Sequence, residues 1–197
     1  MSTEIAVDVI LDAERAQALL NPARLELLEH LQEPGSAASL ARLLGQPRQR
    51  VNYHLRALED HDLVELVEER RKGSVVERVY RRTGSSYAIS SSTLGALGIT
   101  PAHVQDRFSS AYQIALASRA VRDLGELQVA ARAADKKLPT FGLEVEVRFA
   151  SAERRNAFAE ELAETVARLV SRYHNESARG GRTFRFYLGA YPKPKGG

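Results

Sequence analysis

Residues 36–82 read S-A-A-S-L-A-R-L-L-G-Q-P-R-Q-R-V-N-Y-H-L-R-A-L-E-D-H-D-L-V-E-L-V-E-E-R-R-K-G-S-V-V-E-R-V-Y-R-R. The pattern predicts two short helices around a tight turn, then a hairpin with Arg70, Arg71, Lys72 and Gly73 at its tip. In the second helix Val51, Leu55 and Leu58 fall at i, i+4 and i+7, which makes one apolar stripe. Arg48, Gln49, Arg50, Asn52, Tyr53 and Arg56 lie between them, and no acidic residue occurs from Gln46 through Leu58. Arg, Gln and Asn are the side chains that hydrogen-bond base edges in a major groove. An apolar back, a basic front and a basic hairpin suit a helix that lies on duplex DNA. On this reading Arg48, Gln49, Asn52 and Tyr53 approach bases, and Arg50 and Arg56 approach phosphates. Arg70, Arg71 and Lys72 reach backbone or minor groove, while Arg78, Arg81 and Arg82 are equally well strand surface.

The run L-A-R-L-L-G-Q-P-R-Q-R-V-N-Y-H-L-R-A-L, with D-L-V-E-L after it, resembles the core of ArsR-like winged helix-turn-helix transcriptional regulators. Their usual pattern is L-A-x-x-L-G, then V-x-x-H-L-x-x-L, then G-L-V. Leu40, Ala41, Leu44 and Gly45 match its first part; Val51, His54, Leu55 and Leu58 match the second; Leu63 and Val64 match the third. Upstream, N-P-A-R-L at 21–25 resembles the family's x-P-x-R-L, and E-R-V-Y-R-R-T at 77–83 resembles an E-R-x-Y-R-x-T motif of a subset with a longer C-terminal part. The resemblance covers roughly residues 10–90. It implies a dimeric, DNA-binding regulator and leaves the sensed signal open. Many ArsR-like proteins sense soft metals through cysteines. This chain has none, which excludes thiolate sites and disulfides alike.

The chain has 197 residues and a formal net charge of +3. Residues 1–90 hold 12 Lys and Arg against 14 Asp and Glu, so the basic character of this half is local, not global. Local clustering is what phosphate contacts require. No apolar run is long enough to span a membrane, and M-S-T-E-I-A-V-D has no basic flank of a signal peptide, so a cytoplasmic protein is expected.

Further elements follow from caps and periodicity. Leu11–Leu20 predicts a first helix; Asn21 and Pro22 open a second, to about Gln32, with Leu25, Leu28 and Leu31 inward. Ser36 caps a third, and Pro47 opens the recognition helix. The wing strands are expected over Val64–Glu69 and Val75–Arg81. Residues 1–90 then form the DNA-binding domain, 91–100 a Ser- and Gly-rich linker, 101–192 a dimerisation and effector-binding domain, and 193–197 a disordered tail.

The whole is α+β, with a C-terminal α-β-α-β half. Its long helix is expected from Pro101 to about Ala134, with Ala111, Ala115, Ala117 and Ala120 permitting close helix approach, either as a core helix or as a dimerisation helix. Strands are expected over Leu143–Phe149 and 184–191, flanking a helix from Ser151 to about His174. Glu144, Glu146 and Arg148 on one strand and Arg185, Tyr187 and Tyr191 on the other share a polar face. That face is a solvated surface with ion pairs, a platform for a small organic effector, or a subunit contact.

His30, His61, His103 and His174 show no metal-site spacing, so no metal or cofactor is expected. No nucleophile motif, phosphate loop or dinucleotide fingerprint occurs, so the chain is not expected to be an enzyme. The expected function is sequence-specific DNA binding by a homodimer, more as repressor than activator. Two rivals differ in what the basic helix meets: an acidic protein partner, or duplex DNA of any sequence in an architectural role.

Overall fold

The computed structural model describes residues 6–72, 75–106 and 109–194. The wing turn at 73–74 and the last three residues of the expected tail lie outside the described residues, as do the side chains of 72 and 75. The chain divides into two compact units, one through Leu138 together with Gly189 onward, the other Pro139–Leu188.

In the first unit, side chains cap the first three helices. Asp12 accepts from the Arg15 amide at 2.7 Å and starts α1 (Ala13–Leu19). The Asn21 side chain accepts from the amides of Ala23 and Arg24, and Pro22 takes the first position of α2 (Pro22–His30). Ser36 and Ser39 form a reciprocal capping box that opens α3 (Ala37–Leu44). Gly45, in the left-handed region at φ 62°, ends α3, and Pro47 precedes α4 (Arg48–Asp60). Leu27, Leu28, Leu31, Leu40, Val51, Leu55, Leu58 and Leu63 form the core these helices share. On α2 the inward face differs from the expected one: Leu25 is exposed and Leu27 replaces it. Leu27, Leu28 and Leu31 sit within one narrow helical sector, and Leu25 projects to its side.

The wing is antiparallel: β3 (Val64–Lys72) pairs with β4 (Val75–Arg82), with a register shift between Leu66 and Glu68. The two-residue β2 (Gly35–Ser36) adds to the free edge of β4, giving the order β2-β4-β3. A second, parallel pair was not expected. It joins β1 (Asp8–Ile10) to β5 (Tyr87–Ile89). Beyond it, the stretch expected as a linker contains 3-10 turns over Ser91–Leu97, interrupted at Gly95 (φ 56°), and the Ser92 hydroxyl donates to the Leu11 carbonyl at 3.3 Å.

The long helix starts later than its sequence suggests. Pro101–His103 is a separate 3-10 turn, and α5 runs Ser110–Ala133 behind a Ser109 cap. Thr100 makes no side-chain cap bond, whereas the Ser109 hydroxyl accepts from the Tyr112 amide at 3.2 Å. α5 packs on β1. A Cβ added to Gly125 would lie 2.7 Å from the Val9 side chain, so the contact requires glycine.

In the second unit α6 (Ala152–Tyr173) follows a Ser151 cap, and none of its residues is buried. The Phe149 and Phe158 rings pack at 5.4 Å. Residues 143–149 and 184–190 have no strand assignment, so the expected C-terminal sheet is not formed in the single chain. Two strands alone are a marginal sheet, and each segment would leave an open edge.

Asp8 is the anchor of the first unit. Its carboxylate is 2% exposed and accepts two bonds from the Arg15 guanidinium, at 3.2 and 2.7 Å. The same guanidinium donates to the His61 and Asp62 carbonyls, each at 3.0 Å, just past the end of α4. Arg15→Ala should therefore leave a buried carboxylate without its main partner and lower stability by about 3–5 kcal/mol. Urea unfolding would read this as a fall in midpoint at constant slope.

Candidate nucleic-acid interface

Val51, Leu55 and Leu58 are fully buried, which fixes the rotation of α4. At about 100° per residue, the direction opposite that stripe belongs to Gln49, Tyr53 and Arg56. All three are exposed, Tyr53 by 67%. Arg48 is also exposed, at the first turn, and Asn52 is half-buried on the side of the wing. Arg50 lies on the opposite flank, beside α2, where it borders a surface hollow with Pro22, Ala23 and Glu26. Five of the six helix residues named from sequence are thus exposed, spread over the outer face of α4 and its flanks, and Asn52 is half-buried.

The side of α4 next to the wing is held by charge. The Glu59 carboxylate accepts two bonds from Arg78, at 3.0 and 2.7 Å, and one from the Tyr80 hydroxyl at 3.0 Å. Tyr80 is 1% exposed, and the Arg78 guanidinium sits 5.2 Å from its ring centroid. Burial, then the Glu59 carboxylate, raises the Tyr80 pKa above that of a free phenol, so the hydroxyl remains a donor.

The other residues of the E-R-V-Y-R-R-T stretch are ties of the same kind. Glu77 accepts from Ser36 Oγ at 2.6 Å, Arg81 pairs with Glu65 at 2.6 Å, and Thr83 Oγ1 donates to the Asp62 carbonyl at 3.0 Å. Arg78 and Arg81, left open between surface and DNA contact by the sequence, are each paired with a carboxylate.

Asp62 has φ 54°, in the left-handed region. The family pattern has glycine there. Aspartate is among the few other residues that tolerate this conformation. On the wing, Arg70 is exposed and paired with Glu68 at 2.7 Å, and Arg71 is exposed. The Lys72 backbone belongs to β3, while its side chain is outside the described residues.

Two residues near α4 were not singled out by sequence, or only in a bland role. Arg24 Nε and His54 Nδ1 are buried atoms without a hydrogen-bond partner among the described residues. Burial lowers the His54 pKa, and the charges of Arg24 and Arg50 lower it further. In the sequence Arg24 stands only as the arginine of the N-P-A-R-L motif, with no role attached to it.

The expected effector face is not assembled in the same way. Glu144, Glu146, Arg148, Arg185 and Tyr187 are exposed on the two C-terminal segments, and no strand pairing joins those segments. Tyr191 belongs to the first unit. An open groove elsewhere is lined by Gln17, Leu20, Asn21, Arg24, Ser90 and Leu94 among others. Among the described residues no helix is long and apolar enough to cross a membrane, and no group of three or more His, Asp or Glu could hold a metal ion.

Tyr80→Phe should lower stability by about 1 kcal/mol, and Glu59→Ala, which strips both Arg78 and Tyr80 of their acceptor, by about 2 kcal/mol. Both values allow for partial solvent screening of the pair. Thermal melts of the two variants would check their order.

The helix-turn-helix domain model of one family matches residues 19–67. Several solved structures are similar over about a third of the chain. A possible transcriptional regulatory protein from Mycobacterium bovis (fragment 1-100) is 32% identical, covers 36% of this chain and 73% of its own, and has a TM-score of 0.31. NolR from Sinorhizobium fredii is 27% identical, with coverage of 37% and 69% and a TM-score of 0.31. Reduced HlyU from Vibrio cholerae is 23% identical, with coverage of 36% and 72% and a TM-score of 0.30. No curated protein matches the chain. Residues 19–67, which span α2, α3, α4 and the start of β3, are a helix-turn-helix domain.

Proposed function

We propose that the chain is a sequence-specific DNA-binding transcriptional regulator of the ArsR-like kind, acting as a homodimer and more as repressor than activator. The observation that carries this reading is the exposed face of α4. Gln49, Tyr53 and Arg56 point outward, flanked by Arg48, Asn52 and Arg50, within a stretch free of acidic residues. Two copies would place their α4 helices in successive major grooves, about 34–36 Å apart, on a pseudo-palindromic operator. Arg70, Arg71 and Lys72 of each wing would meet the flanking backbone or minor groove.

Residues 1–90 would bind DNA and 101–192 would dimerise and hold a small organic effector, with Glu144, Glu146, Arg148, Arg185, Tyr187 and Tyr191 as its candidate site. A route for such coupling runs through α5. Gly125 abuts Val9, and Arg132 stands 3.8 Å from Asp8, whose main partner Arg15 holds the end of α4. An effector changes DNA affinity only if it binds two arrangements of the α4 pair unequally.

The test is fluorescence anisotropy of the protein with its own upstream DNA and with scrambled duplex, across a salt series. The expected outcome is tight, selective binding that Arg48→Ala/Asn52→Ala reduces at least tenfold, as loss of two base contacts at about 1–3 kcal/mol each requires. Equal binding to both duplexes would favour an architectural role, and no binding would favour an acidic protein partner for the same surface.

A further inference from the structure

The first wing strand carries its charges in blocks: V-E-L-V-E-E-R-R-K at 64–72. What each arginine can reach is set by the bulge in β3. Before it Leu66 stands opposite Tyr80; after it Glu68 stands opposite Val79, so Val67 is the extra residue. Beyond the bulge Glu69 faces Arg78 and Arg70 faces Glu77. Continued without a bulge, the register of Leu66 would set Glu69 against Glu77, two like charges, and Arg70 against Val76. The bulge thus aligns opposite charges along the wing.

Residues two apart on a strand share a face, so Glu68 stands beside Arg70 while Glu77 lies across from it. Arg70 Nε donates to Glu68 Oε2 at 2.8 Å, and a terminal guanidinium nitrogen lies 2.7 Å from the same oxygen. Glu77 is held in place by the bond from Ser36 Oγ. Arg70, though exposed, therefore stands between two carboxylates. Arg71 is on the other face. Its cross-strand neighbour is Val76, and Glu69, two residues before it, lies 3.6 Å from Arg78. Among the described residues Arg71 makes no ion pair. Two adjacent arginines thus differ: one is neutralised within the wing and the other is not.

We propose that the wing meets the duplex backbone through Arg71, and that Glu68 masks Arg70 by occupying the donors a phosphate would otherwise take. A guanidinium offers the same fork to a carboxylate and to a phosphate. While Glu68 fills it, the Arg70 charge is balanced and displaces no counterion from DNA. This inference rests on the DNA-binding reading and sharpens it: of the wing cations placed on DNA by that reading, Arg70 is held back. The mask lowers affinity for every duplex alike, because backbone contacts carry no sequence information. An exposed pair of this kind contributes little to stability, so substitutions at either residue should leave the fold intact.

The test is a double-mutant cycle on the salt dependence of binding by the full chain, on the selected and the scrambled duplex. Each neutralised phosphate contributes a slope of about 0.9 in log affinity against log salt. Glu68→Gln should steepen the slope by about 0.9 on both duplexes, a roughly threefold to fourfold larger loss of affinity over a fourfold salt range. Arg70→Gln should keep the wild-type slope, and so should Glu68→Gln/Arg70→Gln. Arg71→Gln should flatten it by about 0.9.

If Arg70→Gln flattened the slope as much in the wild type as in the Glu68→Gln background, Arg70 would already hold a phosphate and there would be no mask. An unchanged slope in Glu68→Gln would equally end the proposal, since removing the carboxylate would have freed nothing. An unchanged slope in Arg71→Gln would remove the wing contact. In all three cases selective binding by the wild type would keep the DNA reading intact. A wild type that bound neither duplex would overturn that reading and this inference together.

Discussion

The guanidinium of Arg15 holds together three parts of the first unit that are distant in sequence. It binds the buried Asp8 carboxylate of β1, the His61 carbonyl and the Asp62 carbonyl. It thereby ties the start of β1, the first turn of α1 and the residues just past α4 to one another. Such a site gives little net stability, because two charges must leave water to form it. What it supplies is position. The chain also packs closely there, since a Cβ on Gly84 would stand 2.8 Å from the Asp8 Cβ. With the left-handed Asp62 directly after it, the end of α4 has one arrangement and the wing leaves it at one angle.

The other side of α4 is fixed by Glu59, and this separates scaffold charge from working charge. Arg78 and Arg81 are occupied by Glu59 and Glu65, so their charge is balanced locally. Arg48, Arg50, Arg56 and Arg71 are exposed. A chain whose first 90 residues are slightly acidic can therefore still present a basic surface. Asp8, Glu59, Glu65 and Glu68 lie in ion pairs with arginines, while the α4 face carries exposed arginines in a stretch without acids. Electrostatic steering depends on that local surplus and not on the total.

Much of this was legible in the sequence where the signal is local. Asn21, Ser36, Gly45 and Pro47 each mark a helix boundary through one or two backbone groups, and each boundary falls where those residues put it. The Val51, Leu55 and Leu58 stripe fixed the rotation of α4 by period alone. What escaped was non-local. β1 pairs in parallel with β5 some 80 residues later, and three-residue strands carry almost no periodic signal. The 3-10 turns over Ser91–Leu97 were hidden by their serines and glycines, which resemble a linker. On α2, Leu27 rather than Leu25 faces inward, and the same rotation that hides Leu27 also places Arg24 on the buried face.

The C-terminal half shows the opposite limit, a clear pattern without its consequence. Leu143, Val145, Val147 alternate with polar residues, as Phe184, Phe186 and Leu188 do, yet all are about half exposed or more. Alternation states which face a strand would bury and does not supply something to bury it against. α6 has the same character, with Phe158, Leu162 and Leu169 at 40% exposure or more. Apolar area stabilises a fold at about 25 cal/mol per Å² only when it leaves water. Two such segments and one helix lack the strands and the second layer needed to cover one another. The first unit closes its core from within one chain; the second has the sequence of a sheet and half of the parts. A second copy, which the proposed homodimer provides, doubles the strands and helices in a self-complementary arrangement, and the same symmetry gives two recognition helices for one operator.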